Sequence, residues 1–218
     1  MLPNNEYIKR ILYSRLRILD NYPFYGLLLM HMKYGLDDTV KTAYTDATHI
    51  CFSPRFLEQL SDLELDFIMM HKVLHVVLKH CFRGLDRDQY IFNIACDIVV
   101  NSNIMHTDSK FENIKIYGNT PMHIVPNKRK EEGYLYTAEE VYQMLVKNGE
   151  KSIFDDSWDI HDKWTGADKE QEEELNNLIV NIANTTNTWN KGQTLPYGVE
   201  RIIKDITNTN INWKNLLE

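Results

Sequence analysis

The stretch that most restricts the fold begins at Ser61-Asp62-Leu63-Glu64. It reads as a capping box, in which the serine oxygen and the Glu64 side chain satisfy each other's orphan backbone donors, so a helix starts here. The residues that follow are largely apolar, among them Met69, Met70, Val73, Leu74, Val76 and Val77, and Gly84 lies just past the end as a stop. The spacing predicts a helix over about residues 62–81.

That helix carries His71 and His75. Four residues apart, their side chains project within roughly 40° of each other around the axis, so both imidazoles can reach one metal. Neutral imidazole nitrogens suit zinc, and a catalytic zinc takes three protein ligands and keeps an open position for water. The competing reading is a pair of core histidines that merely satisfy hydrogen bonds. The setting favours the metal: a predicted hairpin, a capped apolar helix, a glycine stop and a second helix bearing an acid.

Asp97 is the leading third ligand. It sits in Asn93-Ile94-Ala95-Cys96-Asp97-Ile98-Val99-Val100-Asn101, a buried-looking helix with little other reason to hold a carboxylate. The alternative for Asp97 is a supporting role, hydrogen-bonded to backbone donors or a histidine. His80 competes as ligand, but five residues after His75 it points roughly 140° away on a continuing helix and needs a helix break to join. His161, in Asp159-Ile160-His161-Asp162, is a distant further option, whereas His31, His49, His106 and His123 read as surface or hydrogen-bonded histidines.

In an HExxH helix the glutamate takes a proton from the zinc-bound water and returns it to the leaving amine. Here Lys72 occupies that position. A protonated lysine adds positive charge beside a dication and accepts no hydrogen bond, so ordinary water activation is expected to fail. Three accounts of Lys72 stand open: a natural pseudoenzyme, an introduced inactivating substitution, and a lysine that burial has stripped of its proton and made a base.

The rest of the chain frames this helix. Ile8, Ile11, Leu12, Leu16 and Leu19 recur at helical spacing over residues 6–19, and Phe24 to Lys33 reads as a second helix stopped by Gly35. Thr42–Thr45 and His49–Phe52 are β-prone runs expected to form a hairpin around Asp46, Ala47 and Thr48. Ser53-Pro54 should open a short helix to Leu60, and Asp88 another through Val99. Residues 106–133 are irregular and read as a long surface excursion. Thr137-Ala138-Glu139-Glu140 is a second capping box opening a helix that Gly149 stops. Ser152 to Gly166 is an acidic, tryptophan-bearing loop, and helices are expected over about 168–183 and 198–206.

The chain has 218 residues, 43% of them hydrophobic, enough for a substantial core without disulfides. Cys51, Cys81 and Cys96 form no CxxC pair, which fits a reducing, cytoplasmic setting. The formal charge of −7 argues against broad nucleic-acid binding. No secretory signal is evident, and the longest apolar runs fall short of the ~20 residues that cross a bilayer.

These residues, taken in order, resemble a known family: the bacterial metallopeptidase-like domain that lies ahead of a von Willebrand factor A-like domain. The similarity runs through Tyr25-Gly26-Leu27-Leu28-Leu29, Thr42-Ala43-Tyr44-Thr45-Asp46, Ser53-Pro54-Arg55-Phe56-Leu57 and Leu60-Ser61-Asp62-Leu63-Glu64-Leu65. It continues through His71-x-x-Leu74-His75-x-x-x-x-His80, Asn93-Ile94-Ala95-Cys96-Asp97 and Tyr136-Thr137-Ala138-Glu139-Glu140-Val141-Tyr142. It closes on Leu195-Pro196-Tyr197-Gly198-Val199-Glu200-Arg201 and Trp213-Lys214-Asn215-Leu216-Leu217.

The resemblance implies a zincin-like α+β fold, mainly helical, in which a small hairpin or sheet packs on the active-site helix. It implies Zn2+ held by His71, His75 and Asp97, a peptide or protein substrate, and by analogy a MoxR-type ATPase partner. The family pattern has glutamate at the position of Lys72, so hydrolysis is expected to be lost. The von Willebrand-like domain is not in this chain, and the amphipathic ending at 213–218 is expected to continue beyond it. One domain is expected over 1–218, with a core at about 1–105 and a helical extension at about 134–218. The alternative function is a non-enzymatic peptide- or protein-binding module on the same scaffold, using the basic 127–130 run and the Trp158 and Trp164 loop.

Overall fold

The computed structural model describes residues 3–46, 48–83, 86–148, 169–189 and 195–214, with side chains of the last stretch described through 206. The chain is mainly helical with one small sheet. Its elements are α1 (Asn4–Asn21), α2 (Pro23–Met30), β1 (Lys33–Leu36), β2 (Ala43–Thr45), β3 (His49–Phe52), α3 (Pro54–Gln59), α4 (Asp62–Val77), α5 (Gln89–Thr107), α6 (Ala138–Asn148), α7 (Lys169–Trp189) and α8 (Tyr197–Lys214). Short 3-10 turns lie at His80–Phe82, Ser109–Phe111 and Gly133–Leu135.

The predicted α4 begins where its capping box requires: Glu64 N–H donates to Ser61 Oγ at 3.3 Å and Ser61 N–H to Glu64 Oε2 at 2.6 Å. From Leu65 to Val77 every residue is buried, on all sides of the helix. A helix apolar all round must be surrounded, and α1, α2, α5 and β2 pack against it. Each fully buried Leu, Phe, Ile or Met here contributes about 1.5–3 kcal/mol of transfer free energy.

One polar clamp fixes α1 on α4. Asp66 receives Ser14 Oγ at 2.6 Å and a forked pair from Arg17, Nη2 at 2.7 Å and Nε at 3.0 Å. The buried stripe of α1 differs from the expected one: Tyr7, Ile11, Ser14 and Ile18 face inward, while Leu12 and Leu16 are exposed. The sequence periodicity admits both stripes, and the salt bridge accompanies the observed one.

The expected hairpin is present as β2 paired antiparallel with β3, Tyr44 opposite Cys51. A third strand was not expected. The run Phe24–Lys33 does not stay helical to Gly35; α2 ends at Met30, and Lys33–Leu36 becomes β1, parallel to β3 in the order β1-β3-β2. Gly35 is therefore a strand residue rather than a helix stop. A Cβ there would lie 3.0 Å from Cys51 Sγ, so the missing side chain permits the close pairing of β1 with β3.

The stretch from 106 to 133 is irregular as expected, yet it is not wholly a surface excursion. Phe111, Ile114, Ile116 and Val125 are buried in the main core. Thr137 caps α6 with Glu140 in the second capping box. α7 runs to Trp189 and α8 from Tyr197, both longer than expected. The stops at Gly84 and Gly149 and the loop at 152–166 lie outside the described residues. No helix among the described residues is long and apolar enough to cross a membrane.

Candidate metal centre

Two helices build the site, each contributing residues four apart. On α4 the capped start sets the register in which His71 and His75 share one side, with ring centroids 4.4 Å apart. On α5, which Asp88 caps through Ile91 N–H, Asp97 and Asn101 share the facing side. The three expected ligands come together. His75 Nε2 lies 2.9 Å from His71 Nε2 and 3.2 Å from Asp97 Oδ1, and His71 Nε2 lies 3.6 Å from Asp97 Oδ1. All three side chains are buried.

Those spacings can be tested against an ion. A tetrahedral zinc with bonds of about 2.05 Å spaces its ligand atoms about 3.3 Å apart, and the three observed distances bracket that edge. Among the described residues this is the only group of three or more His, Cys, Asp or Glu whose ligand atoms converge so closely. The donor set, two imidazoles and one carboxylate, is also one that zinc accepts.

The outer hydrogen bonds orient the inner atoms. Asn101 Nδ2 donates to the Met122 carbonyl at 2.9 Å, which turns its Oδ1 toward His71 Nδ1, 2.8 Å away. An amide oxygen only accepts, so His71 carries its proton on Nδ1 and its Nε2 lone pair points toward His75 and Asp97. Asn101 belongs to the site although its residue type alone does not single it out. The signal was available, because Asp97-x-x-x-Asn101 mirrors the spacing of the two histidines.

His80 is reached by the break that its recruitment required. α4 ends at Val77, four residues short of the expected 81, because Lys79 adopts a left-handed conformation (φ 58°, ψ 28°) that starts the turn His80–Phe82. The buried His80 then meets His75 from behind, Nδ1 to Nδ1 at 3.1 Å, opposite the nitrogen that faces His71 and Asp97. Among the described residues the converging group is His71, His75 and Asp97, and His80 lies outside it.

A family model described as "Putative metallopeptidase domain" matches residues 7–218. The chain belongs to this metallopeptidase domain family. No curated protein and no solved structure gave a match. Membership implies a metal cofactor, and in this metallopeptidase domain His71, His75 and Asp97 form the group suited to hold one.

The remaining site residues fall out as follows. Lys72 is fully buried within α4 and is engaged by its surroundings. Burial pushes the Cys96 thiol well up, and the neighbouring Asp97 carboxylate adds to the shift. His31 bonds Leu27 O, His49 pairs with Asp46, and His123 bonds Pro121 O, as expected of ordinary histidines. The basic run at 127–130 is a turn organised by Asn127, with Lys128, Arg129 and Lys130 exposed. His161, Trp158 and Trp164 lie outside the described residues.

Proposed function

We propose that this chain is a zinc-binding metallopeptidase-type domain in which Lys72 has replaced the general base and hydrolysis is lost or weak. The observation that carries the reading is the buried convergence of two imidazole nitrogens and one carboxylate oxygen within 3.6 Å of one another. An isolated carboxylate is costly in such a place, and a dication offsets that cost. Bound zinc would polarise a carbonyl and lower the pKa of a bound water.

The chain's own residues then divide the work. His71, His75 and Asp97 hold the ion, Asn101 fixes the tautomer of His71, and His80 braces His75. Residue 72 follows the first ligand, where an HExxH enzyme keeps the carboxylate that moves the proton. A protonated lysine there donates and cannot accept, so the site retains its metal-binding half without its base. The reading takes peptides or unfolded proteins of the cytoplasm as the ligands of the site.

The experiment pairs metal analysis of the purified chain with Lys72→Glu. Near-stoichiometric zinc that vanishes in His71→Ala/His75→Ala, and peptide-library cleavage that appears only in zinc-loaded Lys72→Glu, are the expected results. Zinc absent from both the parent and Lys72→Glu would sink the metal reading. Full zinc loading without cleavage by Lys72→Glu would leave a binding module on the same scaffold.

A further inference from the structure

One turn beyond Asn101, α5 reaches Met105 and the floor of a separate cavity of about 350 Å³. Its walls are Met105, His106, Glu112, His123, Glu132 and Tyr134. The balance of groups is one-sided, because two carboxylates line it and no lysine or arginine does. Among the described residues Glu132 Oε2 accepts from Ser102 Oγ, at 2.8 Å, and no side-chain partner meets the exposed Glu112 carboxylate. His123 Nδ1 is 2.9 Å from the Pro121 carbonyl, so that nitrogen carries a proton. The Tyr134 ring is held in place by His106, stacked at 4.0 Å and 17°, and by Tyr197 edge-on at 5.9 Å.

We propose that this cavity binds an organic cation, a guanidinium or alkylammonium group such as an arginine or lysine side chain carries. Carboxylates form charge-assisted hydrogen bonds with such groups, an aromatic ring attracts them, and the Met105 thioether accommodates the apolar stem. A single metal ion fits less well. It would need ligand atoms gathered within a few ångströms, and among the described residues only the His71, His75 and Asp97 group meets that condition. A cavity of about 350 Å³ is instead within the range of small-molecule pockets, roughly 300–1,000 Å³. The site is independent of the zinc reading and shares no ligand with it. Its nearness does matter: Ser102, which holds Glu132, follows Asn101, and His123 follows the Met122 carbonyl that positions Asn101.

The test is calorimetric titration of the full chain with N-acetyl-arginine amide and with agmatine, using N-acetyl-citrulline amide as the neutral isostere. The titrations are run with and without zinc, so that failure of the metal reading leaves the result intact. The arginine amide should bind, and the citrulline amide should bind at least ~10-fold more weakly. Glu112→Gln/Glu132→Gln should weaken the arginine amide by about 10-fold or more while leaving the melting temperature unchanged, since glutamine keeps an oxygen for Ser102. Binding of agmatine as tight as that of the amide assigns the site to free cations; tighter binding of the amide assigns it to a basic residue of a peptide. Equal affinity for citrulline, unchanged affinity in the folded double variant, or no binding at millimolar probe would overturn the proposal.

Discussion

Asn101→Leu should separate metal affinity from fold stability in one side chain. Asn101 is 1% exposed and links the His71 ring to the Met122 carbonyl through hydrogen bonds of 2.8 and 2.9 Å. Leucine has similar volume, so the loss is polar rather than a cavity. Two buried bonds contribute about 1 kcal/mol each, and the His71 N–H and the carbonyl left behind add a desolvation penalty, for a total of about 2–4 kcal/mol. In a chain of this size that lowers the melting temperature by roughly 5–15 °C. The His71 ring also loses the bond that fixes its tautomer, which typically weakens metal binding about 10–100-fold. Affinity would be read by competition with a chromogenic chelator and stability by thermal unfolding in excess EDTA. Gly26→Ala is the control, because its Cβ would sit 2.3 Å from Leu19 Cα and destabilise the α1–α2 contact without touching the site. The reasoning is refuted if folded Asn101→Leu holds zinc as tightly as the parent, or if Gly26→Ala loses affinity to the same extent.

Asp97→Asn should abolish stoichiometric zinc while leaving a folded chain, and its melting curve should no longer respond to EDTA; a persistent EDTA response would place the ion elsewhere. Acid stability should depend on Asp108. Burial pulls its carboxyl upward, but hydrogen bonds from Tyr22 and the Lys110 N–H outweigh burial and hold it below the ordinary value. A depressed folded value stabilises above the unfolded one and is lost as pH falls through it, so Asp108→Asn should flatten the loss of stability below about pH 4. A pH–melting series with an unchanged acid limb would contradict this. Cys51 is half-buried while Cys81 and Cys96 are buried, so a thiol reagent should label Cys51 first in the native chain, with Cys96 last. Mass mapping of the label gives the order directly.

The parts of the structure legible in the sequence are those decided within a few residues. Capping boxes at Ser61 and Thr137, the pairing of β2 with β3 and the approach of His71 to His75 are local chemistry, and each is realised where expected. What the sequence left open depends on partners distant along the chain. The inward stripe of α1 goes with the Arg17–Asp66 pair, and β1 exists because β3 is beside it. The early end of α4 rests on a left-handed lysine, a conformation that no propensity favours, and the place of His80 follows from that one residue. Asn101 needed only a face-by-face reading of α5, which its spacing from Asp97 invited.

The metal group has a consequence for the order in which the protein is made. His71, His75, His80, Asp97 and Asn101 fall within one short interval of the chain, and the carbonyl that orients Asn101 is that of Met122. α7 and α8, which begin at Lys169 and Tyr197, supply none of these groups. On a ribosome adding roughly 5–20 residues per second, the stretch from Met122 to the start of α8 takes about 4–15 s to follow. During that interval the nascent chain already holds His71, His75 and Asp97, so their convergence and the synthesis of α7 and α8 are separable events.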